Sequence, residues 1–402
     1  IKAEFDTSES LWNIFISNGS IYKTRTLVSG LGQLNKPSKP VFEGSSDFKG
    51  TSFHSAEWDH SCDLKGKKVG VIGTGPSAVG FIPKIADEVK ELIIFQRTPN
   101  WILPKPDRKF SNIEKWLLKN MPFFGKLYRY YEYLMSERLY FAFFNNKNKM
   151  ASAIESVISN LTTGFQIKNM SSMYQLGQEM LLDAQISDKS LRDKLTPDYP
   201  VGCKRVIPTN DFFPTLEKKN VFLETESIVK FNENSVITDN GKKNNLDVII
   251  YGTGFETNIF ISPVKIIGLN NRDLDDVWNK GAEAYKGVMV SGFPNFFMCY
   301  GPNTNTGHVS IIFMIESQIK FIIKSLKLIK KKNLKHIDVK QKAMSDYNLS
   351  IQKKLSSTVW ASSCQSWYKT SEGKILNNFP GFGFQYYLMM SNYKYNDIKM
   401  ET

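Results

Sequence analysis

The chain has 402 residues, which is enough for one to three domains with an ample core. Its residues are 41% hydrophobic and 13% aromatic, as expected of a globular protein. The formal net charge of +13 would suit a nucleic-acid or membrane partner, but the lysines are spread along the chain. We therefore expect a solvated basic surface, with no nucleic acid bound and no stable membrane insertion.

The cysteines and histidines argue against two classes of site. Four cysteines lie far apart without a C-x-x-C pair, which argues against a thiol redox centre, a zinc ribbon or a disulfide framework and fits a reducing compartment. Four histidines show no ligand pair at helical spacing, so no metal site is predicted. The most apolar predicted helix, near residues 309–330, is interrupted by charges and is amphipathic. With no signal peptide visible, we expect a cytoplasmic location.

The first 58 residues are predicted to form strands. Asn18 and Gly19 separate two alternating apolar runs, which is a strong β-hairpin signal. A natural start inside a hairpin is improbable and residue 1 is Ile, so we expect a fragment that lacks an N-terminal segment. A rarer string, F-x-G-x-x-x-H-x-x-x-W-D, follows at residues 48–59. Its members are Phe48, Gly50, His54, Trp58 and Asp59.

A dinucleotide-binding turn is predicted directly after this string. Residues 67–72 (KKVGVI) are typical of a buried parallel strand, and residues 76–89 have helical spacing. Between them, Gly73 permits a tight turn, Gly75 lets backbone approach a pyrophosphate, and Ala78 lets the helix pack on the strand. The helix N-terminus would face the phosphates. The residues predicted to bind the nucleotide here are Gly73, Gly75, Ser77 and Ala78.

The next predicted strand indicates which dinucleotide is bound. Residues 91–96 (ELIIFQ) form an apolar run that ends at Arg97. An NAD-binding site places an acidic residue about here for the ribose 2′-hydroxyl, whereas a cation fits a 2′-phosphate. The sequence therefore favours NADPH over NADH.

Residues 104–195 differ in character from the segments around them. Glycines become rare, apolar residues recur at helical spacing, and Ser111 with Glu114 has the pattern of a capping box. Aromatic residues crowd positions 122–144, for which we expect core or inter-domain packing. A hydrophobic substrate wall and a membrane-surface helix are the alternatives. We predict a helical insert in the nucleotide domain.

Strand patterns return between residues 200 and 250. The last strand, in residues 247–255, ends in two glycines and is similar to the TLVSGLG run at residues 26–32. Both runs are expected to leave a nucleotide domain beside a ligand. The glycines assigned to a cofactor on this pattern are Gly30, Gly252 and Gly254.

Six blocks together resemble the Baeyer–Villiger monooxygenases, which are class B flavoprotein monooxygenases such as the cyclohexanone monooxygenase type. The string at residues 48–59 is similar to the family fingerprint. The other blocks follow in family order and extend the resemblance over nearly the whole chain. They are FQRTPNWILP (95–104), GCKRVIPTNDFFPTL (202–216), DVIIYGTGF (247–255), GFPNFFMCYGPNTNTGH (292–308) and CQSWYKTSEGKILNNFPG (364–381). The insert and LTPDYPVGCKRV are most similar to the branch containing 4-hydroxyacetophenone monooxygenase.

The resemblance implies a reaction and a role for several residues. NADPH would reduce FAD, which would capture O2 as a flavin peroxide that inserts one oxygen beside a ketone carbonyl to give an ester or lactone. Lys204, with Arg97 and Thr98, would hold the NADPH 2′-phosphate. Arg205 would be the catalytic residue, because a fixed guanidinium stabilises a peroxide anion in a dry site. Trp367 would pack near the nicotinamide.

The resemblance also implies cofactor contacts and a coupling element. Gly30, Gly32, Gly252, Gly254 and the loop at 301–308, including Asn303, would contact FAD. The fingerprint residues would couple NADPH position to catalysis without doing chemistry. Each residue alone has a plainer interpretation: Lys204 and Arg205 as a solvated pair, His54 as a structural histidine, and the two tryptophans as core.

We predict an α/β fold with two Rossmann-like dinucleotide-binding domains, for FAD and NADPH, and a helical insert in the NADPH domain. The predicted segments are the remainder of the FAD domain without its N-terminal FAD turn (1–58), the first half of the NADPH domain (59–103), the insert (104–195), the second half of the NADPH domain (196–250) and the C-terminal part of the FAD domain (251–402). The alternative functions are N- or S-oxygenation by a related flavin enzyme, and a truncated NADP-binding protein without flavin.

Overall fold

The computed structural model describes residues 1–138 and 170–402. Its strands, in chain order, are β1 (Lys2–Asp6), β2 (Leu11–Phe15), β3 (Ile21–Thr24), β4 (Leu27–Ser29), β5 (Thr51–His54), β6 (Lys68–Ile72), β7 (Glu91–Phe95), β8 (Ile102–Leu103), β9 (Ile207–Pro208), β10 (Val221–Glu224), β11 (Ile228–Asn232), β12 (Ser235–Thr238), β13 (Lys243–Asn245), β14 (Val248–Tyr251), β15 (Lys265–Ile267), β16 (Phe296–Met298), β17 (His336–Val339) and β18 (Ile398–Glu401). The α-helices of the described residues are α1 (Pro76–Ile85), α2 (Asn112–Asn120), α3 (Pro122–Arg138), α4 (Met170–Gln185), α5 (Lys189–Leu195), α6 (Phe212–Leu216), α7 (Leu274–Val277), α8 (Ile311–Lys332), α9 (Gln341–Leu355) and α10 (Gly383–Ser391).

The chain divides into two compact units. Unit 1 comprises Ile1–Lys36, the described residues of Lys109–Met170, and Glu256–Thr402. Unit 2 comprises Pro37–Arg108 and Ser171–Phe255. The units are defined by packing, whereas the segment boundaries predicted from the sequence at residues 58, 103, 195 and 250 concern cofactor binding and stay predictions.

Unit 2 is built on a parallel sheet with the strand order β10-β7-β6-β14-β5. Its strand β6 is almost wholly buried, as the apolar run KVGVI requires. Helix α1 connects β6 to β7 and buries Ala78, Val79 and Ile82 in the core beside the sheet. Because β7 and β14 lie on opposite sides of β6, the strand order reverses there. The carboxyl ends of β6 and β14 therefore border the crevice where sheets of this kind bind ligands.

Unit 1 contains a mixed sheet with the order β15-β1-β2-β3. Strand β1 pairs parallel with β15 and antiparallel with β2. The predicted hairpin at Asn18-Gly19 is confirmed: it joins β2 to β3, and Gly19 has a φ of +84°. Strand β4 pairs parallel with β16, and β17 antiparallel with β18. The long helix α8 buries one face, including Phe321 and Ile322, as its amphipathic pattern predicts.

The first part of the predicted insert packs within unit 1. The capping box at the start of α2 is confirmed, with reciprocal hydrogen bonds between Ser111 and Glu114. In α3 the ring of Tyr133 lies 4.7 Å from that of Phe313. The carboxylate of Glu137, which is 1% exposed, accepts hydrogen bonds of 3.1 and 2.9 Å from two N–H groups in the first turn of α10.

The aromatic run at residues 122–144 is only partly packed. Tyr133 follows the expected core packing, but Phe123 is 69% exposed, so the expectation is wrong for that side chain. Residues 139–144 of the run lie outside the described residues. None of the helices formed by residues 1–138 and 170–402 combines the length and apolar character that crossing a bilayer requires.

Candidate dinucleotide-binding site

The glycine turn of unit 2 is shaped by close backbone packing at the switch point. Gly73 has a φ of +99°, and a Cβ added to it would lie 2.7 Å from the carbonyl oxygen of Gly252. A Cβ on Gly252 would lie 2.9 Å from the Cβ of Ala78. These three residues fill the space between the ends of β6 and β14. Packing alone therefore requires glycine at residues 73 and 252.

Gly75 differs from its neighbours because there is room beside it. A Cβ added to Gly75 would meet only the Gly252 carbonyl, at 3.8 Å. Gly75 is also the N-cap of α1, and no side chain caps the helix there. Ser77, in the first turn, is exposed. An open glycine followed by uncapped helical N–H groups is the arrangement that binds the pyrophosphate of a dinucleotide.

Two cations lie near each other beyond the ends of β7 and α5. Arg97 is exposed and Lys204 is half-buried. Among residues 1–138 and 170–402, neither side chain forms an ion pair with a carboxylate. Burial lowers the pKa of the Lys204 ammonium, the Arg97 guanidinium lowers it further, and Asp198 acts in the opposite direction. Two like charges held near each other, neither of them in an ion pair among the described residues, indicate a site for an anion. Thr98 directly follows Arg97 in the sequence.

Two side chains that the sequence analysis missed hold this region in place. Asn100 donates hydrogen bonds to the carbonyl oxygen of Thr74 at 2.7 Å and to its hydroxyl at 3.2 Å. The hydroxyl of Tyr199 donates to the carbonyl oxygen of Pro99 at 2.9 Å, and the Lys204 ammonium lies 4.6 Å from the centre of the Tyr199 ring. The sequence signals for these roles were membership in the family-like blocks FQRTPNWILP, which contains Asn100, and LTPDYPVGCKRV, which contains Tyr199.

Arg205 follows Lys204 in the loop between α5 and β9. Its side chain is exposed, and within the described part of the chain it forms no ion pair or side-chain hydrogen bond. Its planar guanidinium presents up to five N–H donors. It is therefore available to an anionic group.

The fingerprint residues Phe48 and Gly50 form a tight packing unit at the edge of the sheet. A Cβ on Gly50 would lie 2.4 Å from the carbonyl oxygen of Asp247 and 2.6 Å from the Phe48 ring. The Phe48 ring in turn packs edge-on against Phe231, with centroids 6.4 Å apart. Only glycine lets β5 run this close to β14.

Gly50→Ala is expected to destabilise the protein by at least about 2 kcal/mol, because the backbone carbonyl in its way cannot move without breaking the sheet. Gly80→Ala is the matched control: Gly80 lies within α1 with nothing near its Cβ position, so alanine should stabilise by about 0.5–1 kcal/mol. Chemical denaturation measures both. Equal stabilities for the two variants would contradict this account of Gly50.

His54 is 0% exposed and behaves as a structural histidine. Its Nδ1 accepts a hydrogen bond from the N–H of Ala56 at 3.1 Å, and its ring packs edge-on against Phe255 at 5.9 Å. Burial lowers the pKa of His54, against an opposing effect of the Gly254 carbonyl. The imidazole is therefore neutral in the folded protein at neutral pH. These contacts support a structural role for the His54 ring.

The pKa of His54 predicts the pH dependence of its contribution to stability. The folded-state pKa lies below the unfolded value of 6.5, so the unfolded chain takes up the proton first. The contribution should be fully present above pH 6.5 and should decline as the pH falls below it. Unfolding free energies of the wild type and His54→Gln, measured from pH 8 to about pH 5, should differ less at the acid end. A difference that is constant or grows toward acid would contradict the assignment.

The last two fingerprint residues also have structural contacts. Trp58 packs edge-on against Phe53 and Phe81, with centroids 5.2 Å away in both cases. The Asp59 carboxylate accepts hydrogen bonds from the N–H and hydroxyl of Ser61 at 2.9 and 2.6 Å, which lower the pKa of its carboxyl group. The contacts of Trp58 suit its plainer interpretation as a core residue.

The remaining candidates show two different environments. Among the described residues, nothing lies within 4 Å of a Cβ added to Gly30 or Gly254. Asn303, which is 2% exposed, donates from Nδ2 to the carbonyl oxygens of Ile375 and Asn378 at 2.8 and 3.1 Å, so its amide already holds a loop together. Trp367 is half-buried, with its ring centroid 4.4 Å from that of Tyr368.

The predicted site residues are distributed over both units. Unit 1 carries Gly30, Asn303 and Trp367. Unit 2 carries the other candidates, namely Phe48, Gly50, His54, Trp58, Asp59, Gly73, Gly75, Ser77, Ala78, Arg97, Thr98, Lys204, Arg205, Gly252 and Gly254. The structure thus places the glycine turn, the two cations and the whole fingerprint in one compact unit.

Comparison with known proteins identifies relatives along nearly the whole chain. A family model described as flavin-binding monooxygenase-like matches residues 17–124. A Baeyer–Villiger monooxygenase of Pseudomonas aeruginosa is 39% identical over 387 residues, which cover 96% of this chain and 69% of that protein. One of Streptomyces coelicolor is 33% identical over 384 residues, covering 94% and 69%. The chain thus spans about two thirds of the length of these relatives.

Solved structures show the same fold. A crystal structure of OTEMO in complex with FAD and NADP is 25% identical to this chain, with a TM-score of 0.82. The match covers 99% of this chain and 80% of that one.

Proposed function

Because the chain belongs to the Baeyer–Villiger monooxygenases within the flavin-binding monooxygenase-like family, we propose that it inserts one oxygen atom of O2 beside the carbonyl of a small-molecule ketone. The product would be an ester or lactone, NADPH the reductant and FAD the resident cofactor. The observation that carries the nucleotide part is the occurrence, in one unit, of an open glycine turn at Gly75 and two cations, Arg97 and Lys204, that form no ion pair among the described residues.

Membership of this family confirms the resemblance predicted from the sequence, the α/β fold with FAD- and NADP-binding Rossmann domains, and the assignment as a flavin- and NADPH-dependent monooxygenase. The relatives do not favour either alternative, heteroatom oxygenation or NADP binding without flavin. They also imply a small-molecule substrate and O2.

Two different parts of unit 2 fit the pyrophosphate and the 2′-phosphate of NADPH. The pyrophosphate would lie against the Gly75 backbone and the N-terminus of α1, where the N–H groups have no side-chain cap. The 2′-phosphate would lie between Arg97 and Lys204, with the Thr98 hydroxyl as a further donor. The anion would relieve the repulsion between the two cations, which is why NADH, without that phosphate, should bind more weakly.

Lys204→Met is expected to weaken NADPH binding at least about tenfold, because it removes a charge-assisted hydrogen bond. Binding of NADH should be unchanged, since NADH has no 2′-phosphate. Fluorescence titration with both nucleotides measures the effect. Lys230→Met is the matched control, as Lys230 is an exposed lysine on β11 of the same unit. Equal weakening of NADPH and NADH would refute the 2′-phosphate site.

The glycines Gly30 and Gly254 fit the flavin part of the proposal, because both leave open space where backbone would meet a cofactor. FAD, when bound, would supply the electron transfer and the activation of oxygen. The protein supplies position and charge. Arg205 is the side chain of unit 2 best suited to stabilise negative charge that develops during oxygen transfer, because its fixed cation has no competing partner among the described residues.

A further inference from the structure

Tyr199 lies between the segment that carries Arg97 and the loop that carries Lys204. It lies five residues before Lys204 in sequence and is 8% exposed. The Lys204 ammonium lies 4.6 Å from the centre of the Tyr199 ring. The hydroxyl donates to the carbonyl oxygen of Pro99, two residues after Arg97, at 2.9 Å. One side chain therefore contacts both the Lys204 loop and the Arg97 segment.

The ring is held in place from a second direction. The indole N–H of Trp101 donates to the backbone carbonyl of Tyr199 at 3.0 Å, and the two rings pack edge-on with centroids 6.5 Å apart. Asn100 ties the same segment to Thr74 in the glycine turn. The orientation of the Tyr199 ring is thus fixed by the turn and by the segment that follows β7.

The Tyr199 ring stabilises the charged form of the Lys204 ammonium. In the absence of nucleotide, burial removes part of its hydration and the Arg97 guanidinium repels it, which together lower the pKa of Lys204 against an opposing effect of Asp198. The negative face of an aromatic ring attracts an ammonium at this distance. Lys204 therefore has a favourable resting position near Arg97 that does not require an ion pair with a carboxylate.

We propose that Tyr199 is a positioning residue for the 2′-phosphate: its ring holds the Lys204 ammonium where it meets that group, and so sets the preference for NADPH over NADH. The proposal rests on the 2′-phosphate site described under the proposed function. The hydroxyl serves to anchor the ring to the Pro99 carbonyl. The ring itself makes the contact that matters for the nucleotide.

The test compares nucleotides that differ only in the 2′-phosphate. The full chain is titrated with 2′,5′-ADP and with 5′-ADP. Tyr199→Leu is expected to weaken 2′,5′-ADP binding about fivefold, the size of a partly desolvated cation–π contact, and to leave 5′-ADP binding unchanged. Tyr199→Phe, which keeps the ring, should stay within about twofold of the wild type for both. Tyr174→Leu, at another partly buried tyrosine of unit 2, should change neither.

A second comparison separates this proposal from the site on which it rests. In a Lys204→Met background, Tyr199→Leu should have no further effect on 2′,5′-ADP, because the ring acts through the lysine. If Lys204→Met alone leaves 2′,5′-ADP binding intact, the 2′-phosphate site is wrong. If Lys204→Met weakens binding but Tyr199→Leu does not, or if Tyr199→Phe loses as much as Tyr199→Leu, the positioning role is wrong.

A loss of folding would be detected by thermal unfolding of each variant. Should Tyr199→Leu not fold, Tyr199→Met repeats the test with a longer apolar chain that lacks a π face. A loss of binding to both nucleotides by a folded variant would overturn the proposal, because it would mark Tyr199 as a residue of general structural importance.

Discussion

Arg205→Ala is expected to abolish formation of ester from ketone, lowering turnover at least about 100-fold, the size seen when one preorganised donor to developing negative charge is removed. Arg205 is exposed, charged and without an ion pair among the described residues, so its removal leaves no buried partner unsatisfied. The folded state should therefore be as stable as the wild type. Product mass, with NADPH consumption followed in parallel, separates loss of oxygen transfer from loss of nucleotide binding.

Two further variants serve as controls for Arg205→Ala. Arg205→Lys keeps the charge but not the planar fork of donors, so partial activity is expected. Arg192→Ala removes a guanidinium elsewhere in unit 2, on α5, where it pairs with Asp183, and should leave ester formation intact. Ester formation at the wild-type rate by Arg205→Ala would mean that Arg205 is an ordinary solvated arginine.

Gly75→Ala and Gly73→Ala are both expected to weaken NADPH binding, but only Gly73→Ala should also greatly lower the stability of the fold. At Gly75 the backbone has φ −66° and ψ 176°, which alanine adopts freely, and the space beside it is open. Stability should fall by less than about 1 kcal/mol, the cost of a poor N-cap. The added methyl group would occupy the approach of the pyrophosphate, so NADPH binding should weaken at least about tenfold.

At Gly73 the backbone itself forbids a side chain. The φ of +99° disfavours any L-residue, and the Cβ would strike the Gly252 carbonyl. Gly73→Ala should therefore lose at least about 2 kcal/mol of stability as well as the nucleotide. Denaturant unfolding and NADPH titration on both variants give the comparison. If Gly75→Ala bound NADPH normally, the pyrophosphate would not lie at this turn.

The strand, turn and helix of the nucleotide unit could be predicted from the sequence because they depend on interactions between residues close together in the chain. The run KVGVI, the glycine spacing and Ala78 are consecutive in sequence, and each is required by the strand, turn or helix that contains it. Helix α1 nevertheless ends at Ile85 instead of residue 89. Asp87 and Glu88 follow directly, and acidic side chains are unfavourable at the negative end of a helix.

The contacts that the sequence did not predict join residues far apart in the chain. Tyr199 and Pro99 are 100 residues apart, and Glu137 caps a helix that begins 246 residues later. No periodicity or spacing encodes such pairs, because they depend on how finished elements pack. The packing of α2 and α3 within unit 1 belongs to the same class. The sequence marks this segment as helical but not which surface it covers.

The fingerprint residues show how a motif can be specific to a family although its side chains serve packing and take no part in the reaction. Gly50 is fixed by its contact with Asp247, and His54 is a buried neutral ring beside Gly254. Both connect the edge strand β5 to β14, the strand that ends at the switch point. Gly252, directly after β14, packs closely against Gly73 and Ala78 of the glycine turn.

The account is tested most directly by oxygen labelling. The full chain, supplied with FAD, NADPH and a panel of cyclic and aryl ketones under ¹⁸O₂, should yield an ester or lactone that contains one labelled oxygen atom. The product should appear only when NADPH is present. NADPH-dependent oxidation of amines or sulfides with no ester from any ketone would contradict the central claim, as would an ester that carries no label.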